Sequence, residues 1–143
     1  MSLVILNSEF QPLQGLITNH NGFTGEAHEQ KIYLRNYSSE FFYTNIRVLV
    51  RMPDLEEGDL FSSSGWSVKL KYGEEQPTDK EWGEVLINGY CQLPDLGTTQ
   101  VANTESALPI WVRVYCPGHE EPKIKNDIKL MISFSKRLVG DLE

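Results

Sequence analysis

The sequence predicts an all-β protein, a compact antiparallel sandwich behind an extended N-terminal arm. Three observations carry this. Apolar and polar residues alternate with period two in successive short segments, the mark of half-buried antiparallel strands. Gly, Pro, Asn, Asp and Ser clusters separate those segments at short intervals. No stretch repeats apolar residues at i, i+3, i+4 and i+7 over several turns, so helix is minor.

The elements follow in order. Leu3, Val4, Ile5 and Leu6 form a short apolar run, and Pro12, Gly15, Asn21-Gly22 and Gly25 then break the chain too often for a helix. Residues 1–27 read as an arm, whose apolar run adds as a strand to its own domain or to a neighbour. Residues 28–143 read as the sandwich. In Lys31–Asn36, Ile32 and Leu34 share one face, and Tyr33 and Arg35 the other. A polar turn over 37–40 leads to a strand with Ile46, Val48 and Val50 on one side, Arg47 and Arg51 on the wet side. After an acidic, serine-rich loop over 53–64, Trp66, Val68, Leu70 and Tyr72 alternate with Lys69 and Lys71. A charged loop covers 73–80. Residues 84–93 suit a hairpin, because Asn88-Gly89 tolerates the positive φ of a type I′ turn. Then Ile110, Val112, Val114 and Cys116 point inward against Trp111, Arg113 and Tyr115, and a last strand sets Ile128, Leu130, Ile132 and Phe134 on one side. About seven such strands indicate an immunoglobulin-like sandwich, with a closed barrel or a jelly roll as alternatives.

Totals bound the function. A chain of 143 residues with 40% hydrophobic residues suffices for one domain with a real core. A net charge of -7 argues against nucleic-acid binding and against anchoring to anionic lipid. No apolar run approaches the ~20 residues of a membrane span, and the N-terminus lacks the basic and apolar regions of a signal peptide. Cys91 and Cys116 read as two buried thiols on neighbouring strands, with a bridge between the sheets as the alternative. No cofactor is implied.

Nor is a catalytic site. The three histidines, His20, His28 and His119, lack ligand spacing. The acidic loop Asp54, Glu56, Glu57, Asp59 has the composition of a calcium loop without its order. Ser62–Ser64 occur without a nucleophile-elbow motif or a placed base. Asn36-Tyr37-Ser38 fits a glycosylation sequon. Of the tryptophans, Trp66 reads as core, Trp82 as core or contact, and Trp111 as an exposed contact beside Arg113 and Tyr115. The candidate partner-binding residues are therefore Leu3, Val4, Ile5, Leu6, Trp111, Arg113 and Tyr115.

Two segments carry a resemblance. HEQKIYLRNYSSEFFYTNIRV (28–48) looks like the opening strand pair of immunoglobulin-like modules, and LPIWVRVYCPGHEEPKIKNDIKLMISF (108–134) is similar to their closing pair. Together they resemble small structural proteins of tailed-phage virions: capsid decoration, neck, tail or baseplate components. The resemblance covers less than half of the chain and consists of packing patterns. It implies a non-enzymatic virion protein, made in a host cytoplasm, whose partners are other virion proteins or further copies of itself. It further implies that residues 1–27 latch onto a neighbouring subunit. The same strand pairs resemble adhesion modules, so the alternative is a glycan-binding sandwich using exposed aromatics.

Overall fold

A computed structural model describes residues 3–13, 16–20, 26–38, 40–51, 67–85, 87, 89–96, 107–116 and 123–138; within these, the side chains of 16–20, 26, 116 and 123–127 are not described. The elements are β1 (Leu3–Leu6), β2 (Leu16–His20), β3 (Glu26–Asn36), β4 (Phe41–Arg51), β5 (Ser67–Tyr72), α1 (Asp79–Gly83), β6 (Cys91–Leu93), β7 (Ala107–Cys116) and β8 (Lys123–Leu138). They form two antiparallel sheets, β1-β3-β7-β5 (sheet A) and β2-β8-β4-β6 (sheet B). The all-β sandwich expected from alternation is what the chain adopts.

The order within the sheets adds what alternation cannot carry. Successive described strands alternate between the sheets, and the pairs β2·β8, β3·β7 and β4·β6 are nested about β5. That is a long hairpin rolled on itself, the pairing scheme of the jelly roll, with β1 added beside β3.

Period two decides which side chains meet between the sheets. Ile32 and Leu34 of β3, Val68 and Leu70 of β5, and Leu108, Ile110, Val112 and Val114 of β7 are buried from sheet A. Ile46, Val48, Val50, Cys91, Leu93 and Ile128 meet them from sheet B, with Leu130, Ile132 and Phe134 packed at the margin. Each such aliphatic residue contributes about 1.5–3 kcal/mol by leaving water. In β4 the register with β8 slips between Thr44 and Arg47, where Asn45 has φ 50. This bulge puts Tyr43 as well as Ile46 inward, and Tyr43 meets Phe134 edge-on at 4.9 Å. At the turn from sheet A to sheet B, the buried Asn36 donates from Nδ2 to the Phe41 carbonyl (2.9 Å) and accepts from the Ser38 N–H (2.8 Å).

Four expectations are corrected. The described residues of the expected arm are not set apart from the sandwich. Leu3, Val4, Ile5 and Leu6 pair with Asn36, Arg35, Leu34 and Tyr33, and Leu16–His20 pairs with β8. The alternating apolar run finds a free edge in its own chain, which costs no association entropy. Among the described residues of 84–93 no hairpin ladder forms. Thr78 and Glu81 cap a helix over 79–83, and within 84–93 the strand is Cys91–Leu93, which pairs with β4 rather than with its own neighbour. Cys91 and Leu93 are buried opposite Val48 and Ile46, and Asn88 of the expected turn lies outside the described residues. Tyr72 is exposed, lying at the end of β5 beyond the packed layer. Cys91 is a free, buried thiol in sheet B while Cys116 belongs to β7 of sheet A, so the two cysteines are neither on neighbouring strands nor bridged. Trp66, His119, the acidic loop 53–64 and Cys116's side chain lie outside the described residues.

Candidate functional site

Register builds the site. Pairing of β3, β7 and β5 sets three rows of side chains across the outer face of sheet A: Ala27–Tyr115–Ser67, Glu29–Arg113–Lys69 and Lys31–Trp111–Lys71. The candidates Trp111, Arg113 and Tyr115 thus occupy successive outward positions of one strand, as period two requires.

The segment after β5 folds over these rows. Gly73 has φ 153, a conformation other residues rarely adopt, and its N–H donates to the Pro109 carbonyl (3.2 Å). Glu74 follows: its carboxylate accepts from Lys31 Nζ at 2.8 Å and its carbonyl accepts from Trp111 Nε1 at 3.3 Å. The Glu74 hydrogen bond raises the Lys31 ammonium above its ordinary pKa. Thr78 Oγ1 then accepts from the Glu81 N–H (3.2 Å), while the Glu81 carboxylate accepts from the Thr78 N–H (3.0 Å). This reciprocal capping box starts α1 and holds the Glu81 carboxyl below its ordinary pKa.

Helix α1 is too short to persist alone; Trp82 anchors it. That ring is 1% exposed, and its Nε1 donates to Glu29 at 2.5 Å. Lys69 Nζ donates to the Trp82 carbonyl (2.9 Å), and Arg113 Nη1 lies 3.4 Å from Asp79. Between helix and sheet runs a groove of about 430 Å³, with Ala27, Trp82 and Ile87 as apolar lining and Lys69, Asp79, Arg113 and Tyr115 as polar lining. Tyr115 is 42% exposed at its mouth.

The other candidates lie elsewhere. Leu3, Val4 and Ile5 line an apolar hollow of about 370 Å³ with Leu13, Leu130, Met131 and Ile132, where the β1 side of sheet A meets β8. Leu6 is buried and does not line it. The seven candidates therefore divide between two places, with β3 between β1 and β7.

Chemically the groove can hold a partner's side chain. Ser67 lines it, and among the described residues its lining holds no imidazole or thiol to act as base or nucleophile. No cluster that could hold a metal ion occurs among the described residues. Cys91 is buried in the core, where burial pushes its thiol pKa up. Asn36 is 0% exposed, so the sequon at 36–38 offers no accessible acceptor in the folded chain. Sequence reading missed Lys69, Asp79 and the anchoring role of Trp82. The signal was present as Thr78-x-x-Glu81 just before Trp82, a capping box that announces a helix. The fold and groove define a β-sandwich with a roofed, amphipathic outer face. No known protein family matches the chain, and no curated protein matches it either.

Proposed function

We propose that this chain is a non-enzymatic structural protein of the tailed-phage virion class, held in place by protein–protein contacts made through the outer face of sheet A. The observation that supports it is the composition of the groove. Trp82 is spent as an internal anchor, while Arg113 and Tyr115 remain at the opening beside Lys69 and Asp79. Arg and Tyr around an apolar floor are the residue types that interfaces concentrate. Jelly rolls build both viral capsid and lectin domains, an analogy of fold alone. The latching role expected of residues 1–27 is not part of this proposal, because β1 already has β3 as its partner.

The glycan-binding alternative needs exposed flat rings. Trp82 is buried and Trp111 is half-buried beneath Glu74, which leaves that reading to Tyr115 in this face. The test is mass spectrometry of purified tailed-phage particles from lysates of the source organism. The chain is expected in the particles at a fixed copy ratio to known shell or tail proteins. Recovery solely in the particle-free fraction overturns the proposal, and binding on a glycan array lost in Tyr115→Ala favours the alternative.

A further inference from the structure

The outer face of sheet A carries a second patch, on its β1–β3 side and apart from the groove. Tyr33, Arg35 and Tyr37 occupy alternate positions of one segment. Val4 of β1 and Ala107 of β7 stand opposite Arg35. The loop after β1 is a tight turn held by Asn7. Its Oδ1 accepts from the N–H groups of Glu9 and Gln11 (2.9 and 3.0 Å), and its carbonyl accepts from the Phe10 N–H (3.0 Å). Phe10 thereby sits at φ 61, a left-handed conformation unfavourable for a residue with a side chain. Its ring stacks on Tyr33 with centroids 4.4 Å apart and is still 48% exposed.

Arg35 sets this patch apart from the rest of the face. Lys31, Lys69 and Arg113 each have an acceptor. The Arg35 guanidinium instead lies 5.0 Å from the centroid of the exposed Tyr37 ring, and its buried Nε has no hydrogen-bond partner. The charged residues of the adjoining segments 3–13, 31–40 and 107–110 are Glu9, Lys31, Arg35 and Glu40. Lys31 is held by Glu74, and neither Glu9 nor Glu40 pairs with Arg35. A half-buried cation without a counter-ion is costly to keep. A carboxylate supplied from outside lowers that cost through charge-assisted bonds to the terminal guanidinium nitrogens.

We infer that this patch docks an acidic segment of a partner protein, with one Asp or Glu on the Arg35 Nη groups and a large apolar side chain against Phe10 and Val4. The inference goes beyond the groove by adding a second contact and naming its chemistry. Arg and aromatic rings are what interfaces concentrate. A phenylalanine at φ 61 is retained where glycine fits without strain, and a partner that covers its exposed half offsets that strain. A second copy meeting this patch about a two-fold axis sets Arg35 against Arg35, so the partner presents a different surface. An acidic sugar fits less well, because Val4, Phe10 and Ala107 offer its hydroxyls no polar side chain.

The test is selection of a displayed library of random twelve-residue peptides on the full chain, followed by fluorescence anisotropy of the enriched peptides. They are expected to carry Asp or Glu beside an aromatic residue or leucine. A net charge of -7 by itself favours basic peptides, so acidic enrichment reports a local site. Enriched peptides are expected to bind Arg35→Gln at least about tenfold more weakly than wild type, and to lose as much when their own carboxylate becomes an amide. Phe10→Gly is expected to weaken them as well. Circular dichroism confirms that the variants are folded; if Arg35→Gln is not, the carboxylate-to-amide change, read on the wild type, stands as the test. No enrichment overturns the inference, as does enrichment of basic or uncharged peptides alone, or equal binding to a folded Arg35→Gln. So does Arg35-dependent binding of sialylated or uronate-bearing glycans on an array while no acidic peptide binds. None of these outcomes bears on whether the chain is found in virions, which the particle analysis decides separately.

Discussion

The two outer faces obey the same alternation and end in different states. On sheet A the cations Lys31, Lys69 and Arg113 each meet an acceptor from the segment that folds back over them: Glu74, the Trp82 carbonyl and Asp79. On sheet B two of the cations, Arg47 and Arg137, lie over rings and neutral groups. Arg47 bonds Gln92 and sits 4.8 Å from the Tyr90 ring, and Arg137 lies 5.9 Å from that of Phe42. The difference teaches that period two decides which residues face outward, not what they meet there. A capped turn of helix carrying one tryptophan converts a row of basic strand residues into a groove with built-in counter-charges.

The largest expected effect removes that anchor. Trp82→Ala takes a buried ring from between helix and sheet, and about 4 kcal/mol of stability should be lost. Denaturant unfolding measures it; a change under about 1 kcal/mol means the roof is not anchored by the ring. Asn36→Ala acts on the crossing that joins the two faces. It strands the Phe41 carbonyl and the Ser38 N–H, and a loss of about 2 kcal/mol is expected in the same assay. An unchanged midpoint there shows the turn to be held without the amide. Thr78→Ala removes the cap alone, for about 1 kcal/mol. Faster hydrogen exchange confined to residues 79–83 is the local signature, and uniform exchange across both sheets contradicts a purely local role.

Acid sharpens the contrast further. The folded-state pKa of Glu81 is depressed by its bonds to Thr78. Its contribution is therefore present above the unfolded carboxyl value of about 4.3 and is lost as pH falls through the folded value. The stability difference between wild type and Glu81→Gln should shrink between about pH 5 and pH 3; a difference that stays level across that window removes the carboxylate from the capping account. The smallest effect is expected on the outer side of sheet B. Arg47→Ala should shift stability by no more than about 0.5 kcal/mol, the ordinary size for a surface change. A loss several times larger makes sheet B's outer face structural.

Much of the sandwich was legible because its signals are local. The inward set Ile32, Leu34, Ile46, Val48, Val68, Leu70, Ile110, Val112 and Val114 is found buried, as alternation alone required. The same rule put Trp111, Arg113 and Tyr115 on one outward row before any partner strand was known. The groove was less legible. Lys69 was assigned to the wet side of its strand, but nothing local in SVKLKY says that its ammonium meets the carbonyl of Trp82. Glu29 receives the Trp82 N–H across a sequence distance that no periodicity spans.

By itself, then, the sequence determined the class of fold and, along most of each long strand, the side that enters the core, since these depend on neighbours a few residues apart. The tertiary structure alone decided that Leu3–Leu6 completes its own sheet, that the strands nest as a jelly roll, and that the 73–84 segment roofs sheet A. Those outcomes depend on which free edge lies nearest and on where a connecting segment finds a buried site for its one large ring, and both are properties of the assembled sheets.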